Sequence, residues 1–472
     1  MRTEGHYIDG TWRDPDAAMF EVLNPYDGGV LAQCATGGAA EVDEAVAAAV
    51  RAMRTPLPAF ERAALCDRIA GLIKADLEGF AQEICAESGK PIKTARAECE
   101  RAVSTWTFAA ATARTLTGDT VPMDAAAAGV GKLAFTIREP RGVLAAITPF
   151  NFPLNLVAHK LAPALAAGCA TVLKPAEKTP LSAGRLVRAM AEAGVPAGWI
   201  NLINGTGEGV AIPLATHQDV AVVSFTGSTR VGQSLATTAA SKHVLLELGS
   251  NSPVIVAADA DLEVAAAKIA ASGFTHAGQS CISVQRIFVE SPVYEDFLDL
   301  LVPAVEALQV GDPAEDSTDV GPLIRPSERD RVLEWIEEAR AAGAQVRTGG
   351  TADGVLLRPA VVAGGSTQVR LCTEEAFGPV VIVQECASVA EGIARANASA
   401  YGLNAAIFTR DISTALSAAR ALKAGAVLIN ETPTYRADQM PYGGVGESGN
   451  TREGPAYAAR ELTVEKLIIF QA

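Results

Sequence analysis

The stretch Val143-Leu144-Ala145-Ala146-Ile147 is followed by Thr148-Pro149-Phe150-Asn151-Phe152-Pro153, a helical pattern over 154–167, and Ala170-Thr171-Val172-Leu173. Short runs that are apolar throughout and bounded by prolines or glycine read as strands buried on both faces. A helix from Ser182, a third strand over 199–203 and a fourth over 220–225 continue the alternation. Strands separated by helices predict a parallel, doubly wound sheet. A second alternation begins at Val254-Ile255-Val256 and runs to about residue 429. Upstream the pattern is helical from 41 to about 116, with breaks around Pro56 and Pro58 and at Ser88-Gly89-Lys90-Pro91. Gly10 and Asp27-Gly28-Gly29, between short apolar runs, predict hairpins. Residues 117–138 read as a hairpin leaving this body. Residues 461–470 read as a lone terminal strand, free to pair with another subunit.

The 472 residues carry a net charge of −15, which argues against nucleic acid or an anionic membrane as partner. Residues 1–12 lack a basic-then-apolar leader, and the uncharged stretch 142–158 is interrupted by Pro149, Asn151, Pro153 and Asn155. Neither a signal peptide nor a membrane span is expected. The eight cysteines show no CxxC and no zinc-ligand spacing, so no metal site is expected and the thiols read as those of a reduced, cytoplasmic protein.

Gly278-Gln279-Ser280-Cys281-Ile282 places a thiol between a glycine and a strand-like run over 282–289. Such a cysteine is either a nucleophile or a packed apolar residue. Phe225-Thr226-Gly227-Ser228 closes a strand and opens a helix, so Ser228 and the helix amides suit a pyrophosphate, or simply form a cap. Lys174 and Glu177, after the second strand, could reach a ribose hydroxyl, and a carboxylate there repels a 2′-phosphate; the alternative is a surface ion pair. Glu247 ends the apolar run Val244-Leu245-Leu246, where burial would raise its pKa and make it a general base, unless it faces water. The Asn151 amide could hold an oxyanion, or only shape a turn between prolines.

Taken in order, the Asn151 segment, Lys174 to Glu177, Phe225 to Gly232, Glu247-Leu248-Gly249, Gly278 to Cys281 and Glu374-Glu375-Ala376-Phe377-Gly378-Pro379 resemble the aldehyde dehydrogenase superfamily nearly end to end. The resemblance implies an α/β fold with two doubly wound parallel-sheet domains and a small β oligomerisation arm. Residues 1–118 and 139–248 would form the NAD-binding domain, 249–430 the catalytic domain, 119–138 and 459–472 the arm, and 431–458 a pocket-lining loop. Cys281 would attack the aldehyde carbonyl. Asn151 and the Cys281 N–H would hold the thiohemiacetal oxyanion, and loss of hydride to nicotinamide would leave a thioester. Glu247 would activate the hydrolytic water. Thr148, Phe150, Lys174, Glu177, Ser228, Glu375 and Phe377 would contact the cofactor, NAD rather than NADP because of Glu177. A homodimer or homotetramer is implied.

Arg101, His159, Arg436 and Ser280 align with substrate-lining positions. Two arginines and a histidine in one pocket would form a charge-assisted anion site, although each is also compatible with a purely structural role. The loop over 430–446 is similar to that of members oxidising phosphonoacetaldehyde, lactaldehyde or glyceraldehyde 3-phosphate. The expectation is a short aldehyde bearing a phosphonate or phosphate, with a carboxylate-bearing semialdehyde or lactaldehyde as the alternative. A CoA-acylating enzyme, a thiol redox sensor or a non-catalytic scaffold on the same fold are the other readings. The presence of Glu247 favours hydrolysis to the free acid.

Overall fold

The computed structural model describes residues 2–13 and 18–471. Its first seven-stranded sheet contains five mutually parallel strands in the order His243–Glu247, Val220–Thr226, Val143–Ile147, Thr171–Lys174 and Ile200–Leu202. The antiparallel hairpin His6–Ile8 and Thr11–Arg13 completes one edge. Every residue of Val143–Ile147 and Thr171–Lys174 is buried, as expected for strands covered by helices on both faces. Their crossover helix, Asn155–Ala167, is buried along its whole length. That burial leaves its polar residues in need of partners, a point that shapes the site below.

The second sheet also has seven strands, ordered Ala344–Thr348, Ala360–Gly364, Val380–Cys386, Val284–Glu290, Ser252–Val256, Asn404–Phe408 and Ala426–Ile429. All its pairings are parallel except that of Ala344–Thr348. Each large sheet has its own apolar core. The helices expected over 41–116 are Ala39–Met53, Ala59–Ala75, Leu77–Ser88 and Ile92–Thr115. The turn at Asp27-Gly28 joins the antiparallel strands Met19–Leu23 and Val30–Ala35. No helix among the described residues is long and apolar enough to cross a membrane.

The stretch read as a lone terminal strand has a partner in its own chain and forms the edge of a three-stranded sheet. The terminal strand Thr463–Gln471 pairs within its own chain, antiparallel to Lys132–Pro140 along its whole length. Thr120–Val121 lies on the other side of Lys132–Pro140. The partner lies more than 300 residues upstream, and strand pairing over such a separation leaves no local signal in the sequence.

Candidate active site

The carboxyl ends of the first sheet's strands open onto a cleft of about 860 Å³, the usual ligand position in open parallel sheets. Thr148, Phe150 and Asn151 line it after one strand, Lys174 and Glu177 after the next, and Ser228 after a third; Cys281, Glu375 and Phe377 close it from the second sheet's side. Ser228 is in extended conformation at the start of helix Thr229–Thr238, so the first-turn amides are available to an anion. The hydroxyls of Thr148 and Thr226, both cleft-lining, are buried without a hydrogen-bond partner among the described residues. Lys174 Nζ lies 3.3 Å from Glu177 Oε1. Glu375 Oε1 accepts the Ser250 N–H at 3.0 Å, and burial raises its pKa to about 7. A Cβ on Gly249 would stand 2.5 Å from Glu375 Oε2, so the glycine makes room for that carboxylate. Unpaired hydroxyls, a helix N-terminus and a ribose-suited carboxylate in one cleft fit a dinucleotide.

The nucleophile candidate follows a tight left-handed run: His276, Ala277 and Gly278 have φ of 50°, 54° and 69°. Two non-glycine residues in this region cost roughly 1–2 kcal/mol each; strain of this kind collects at functional sites. A Cβ on Gly278 would lie 2.1 Å from the Gly378 carbonyl oxygen, so the turn packs backbone against backbone. Asn151 Nδ2 donates to the Gln279 carbonyl at 2.9 Å, setting its amide beside the Cys281 loop. Ser280 is buried, its Oγ accepting the Ile282 N–H at 3.4 Å. Seven cysteines are buried and only Cys281 is partly exposed, which leaves it the one thiol open to a reactant. Burial pushes its pKa up to about 12, while the Tyr442 hydroxyl, 3.0 Å from Sγ, draws it back down.

Glu247 is buried, and neither carboxyl oxygen has a hydrogen-bond partner among the described residues. Burial, then the nearby Glu453 carboxylate, raises its pKa well above the ordinary value. Glu247 does not line the cleft. Its Oε1 sits where a Cβ on Gly443 would approach to 2.7 Å, so that glycine leaves it space. Next to it is a buried polar cluster in which Arg436 joins Glu453 and Lys160, two residues the sequence reading did not single out. Lys160, from the fully buried crossover helix, lies 2.9 Å from Ser224 Oγ and 3.4 Å from Glu453 Oε1. Arg436 Nη2 donates to Glu453 Oε2 at 2.9 Å, and its guanidinium lies 3.7 Å from the Tyr442 ring centroid. Burial opposes the charge of Glu453, but Lys160 and Arg436 outweigh it and hold its pKa below the usual range.

Arg101, His159 and Arg436 do come close together, yet not as three free cations. Arg101 Nη2 and His159 Nε2 both reach Asp438 Oδ1, at 3.0 and 3.1 Å, and Asn155 Nδ2 does so at 3.2 Å. Burial and then Arg436 push the His159 pKa down to about 4, so its ring is neutral. His159 therefore brings a neutral ring, not a positive charge, to the expected anion site. Two acids, Asp438 and Glu453, partly neutralise the arginines. Of the three residues only Arg101 is substantially accessible, its side chain 28% exposed against 4% for Arg436 and 0% for His159.

This fold and cleft are those of a nicotinamide-dependent oxidoreductase. Residues 12–468 match the Aldehyde dehydrogenase family model, and the chain belongs to that family. It is 42% identical over 469 residues to the 3-sulfolactaldehyde dehydrogenase of Priestia megaterium, covering 99% of this chain and 98% of that protein. Among solved structures it resembles aldehyde dehydrogenase 21 from Physcomitrella patens in complex with the reaction product succinate (TM-score 0.96, 34% identity, 100% and 98% of the two chains). It also resembles glyceraldehyde-3-phosphate dehydrogenase GapN from Methanocaldococcus jannaschii complexed with NADP (TM-score 0.93, 37% identity, 97% and 100%).

Proposed function

We propose that this aldehyde dehydrogenase oxidises a short aldehyde whose tail carries a single negative charge, such as a sulfonate or carboxylate, to the free acid. The observation that carries the proposal is the charge balance of the cluster around Arg436, the cation nearest Cys281 in that cluster. The ionised groups are Arg101, Arg436 and Lys160 against Asp438 and Glu453, with His159 neutral. Arg452 lies near Glu247 as well, but the two buried acids cancel much of the positive charge, which favours a monoanion over the phosphonate or phosphate dianion expected from the loop sequence. The sulfonate in the name of the Priestia relative and the succinate bound to the Physcomitrella protein support the same class. In this reading Arg101, the more accessible of the two arginines and with no partner for its Nε among the described residues, would meet the tail.

In this reading the Cys281 sulfur attacks the carbonyl carbon, and the developing oxyanion is met by Asn151 Nδ2 and the Cys281 backbone N–H. The nicotinamide cofactor, when bound, supplies the hydride acceptor. Thr148, Ser228 and the helix amides would hold its phosphates and nicotinamide end. Lys174 and Glu177 would hold the adenosine ribose and Glu375 the other ribose, with Phe150 and Phe377 as aromatic walls. Glu177 favours NAD, since its carboxylate repels a 2′-phosphate. Glu247, once ionised, takes a proton from the water that attacks the thioester, and Cys281 leaves as thiolate. A carboxylate at 247 supports hydrolysis over transfer to CoA.

The test is the rate of cofactor reduction with matched short aldehydes bearing sulfonate, carboxylate, phosphonate or no charge. The monoanionic substrates should exceed the neutral one in kcat/KM by about tenfold or more, on the order of 1.4 kcal/mol, and Arg101→Gln should erase the gap. Equal rates for the neutral aldehyde would remove the anion site, and a phosphonate winning outright would return the reading to a dianion.

A further inference from the structure

Tyr442 is the residue at this site that neither the sequence reading nor the proposed chemistry uses. Its ring is buried, and its hydroxyl has one hydrogen-bond partner among the described residues, the Cys281 sulfur at 3.0 Å. The ring cannot turn away easily. Its backbone is tied to Glu453 by N–H to carbonyl bonds of 3.1 and 2.6 Å in both directions, and the Arg436 guanidinium covers its face at 3.7 Å. From these contacts we infer that Tyr442 is a catalytic residue: its phenol donates a hydrogen bond to the Cys281 thiolate and so sets how readily the nucleophile forms.

The chemistry follows from the donor inventory. A buried hydroxyl with a single neighbour must direct its proton there or leave it unsatisfied. With a neutral thiol either group donates. When the S–H bond breaks, its proton goes to Glu247 once that carboxyl is ionised, or to water, and the sulfur becomes an acceptor only. The phenol then turns its own O–H onto the sulfur and keeps that proton, because burial holds its pKa well above the ordinary value. The sulfur lone pair is left to form the bond to the carbonyl carbon. Arg436 above the ring draws electron density from the phenol and strengthens the donor. Such help matters here because burial and the carboxyls of Glu375 and Glu247 disfavour the thiolate, with only Arg436 and Tyr442 opposing them.

The inference rests on Cys281 as the nucleophile, and its test separates the two claims. The rate of Cys281 alkylation by iodoacetamide would be followed against pH in the full-length wild type and in Tyr442→Phe, alongside cofactor reduction. Glu247, Glu375 and Arg436 surround the sulfur in both proteins, so the difference between the profiles reports the phenol. Hydrogen bonds to charged groups shift such equilibria by about 1–2 pH units. Tyr442→Phe should therefore move the alkylation midpoint up by that amount and slow both reactions tenfold or more at neutral pH, the deficit shrinking at high pH. Superimposable profiles would overturn the inference, as would a uniform loss of turnover with an unmoved midpoint. If Tyr442→Phe does not fold, wild-type protein made with 3-fluorotyrosine, a more acidic donor, should show a lower midpoint, and an unchanged one overturns the claim. Cofactor reduction surviving in Cys281→Ala would instead defeat the nucleophile assignment.

Discussion

Arg436→Leu tests whether the cluster beside Glu247 is held together as a charged unit. The arginine and Glu453 are almost wholly buried, with side chains 4% and 6% exposed, and meet at 2.9 Å. Removing one member of such a pair strands the other, at a cost of about 3–5 kcal/mol. Lys160, 3.4 Å from Glu453, is then left as its cationic partner among the described residues. Urea denaturation at matched protein concentration should show the loss. The double variant Arg436→Leu/Glu453→Gln removes the stranded charge, so it should lose less than the two single variants together, by about 1 kcal/mol or more. Strict additivity, or a single variant costing less than about 1 kcal/mol, would refute the idea that the pair is the structural centre of the cluster. Because Arg436 carries this duty, its replacement mixes folding with substrate effects, and Arg101 is the cleaner probe of tail recognition.

Other expectations follow from the same geometry. The apparent affinity for cofactor should weaken as pH falls through about 7, where the Glu375 carboxylate becomes protonated and loses an acceptor for the ribose; a pH-independent cofactor KM would count against that role. Gly249→Ala should raise the cofactor KM while leaving iodoacetamide reactivity of Cys281 in place, since the new methyl would meet Glu375 Oε2 at 2.5 Å. Turnover limited by thioester hydrolysis should rise with pH well above the ordinary carboxylate range, because burial and Glu453 raise the pKa of Glu247 and keep its carboxyl protonated in more acidic solution.

The two parallel sheets were legible because their strands are apolar on both faces, and Val143–Ile147 shows this most clearly. The placement of Thr148, Lys174, Glu177 and Ser228 was legible for a related reason: each follows a strand whose carboxyl end the topology brings to one cleft. The destination of Thr463–Gln471 was not, since antiparallel pairing across so long a separation depends on the folded body between the two strands. Nor were the charge states around Arg436. Asp438 and Glu453 lie in a glycine-rich loop and read locally as solvated acids, but both are buried. Lys160 did leave a signal, as a lysine within a largely apolar helical stretch must find a buried partner. Tyr442 left little, because an aromatic beside Pro441 reads equally well as packing.

The central claim is that Cys281 carries the acyl group and Glu247 releases it. The most direct measurement mixes Glu247→Gln with NAD and a sulfonate- or carboxylate-bearing aldehyde, then follows cofactor reduction and intact protein mass together. The account predicts a burst of about one reduced cofactor per active site, little turnover thereafter, and a persistent acyl adduct that peptide mapping places on Cys281. Undiminished turnover without an adduct, or an adduct on any other residue, would contradict it.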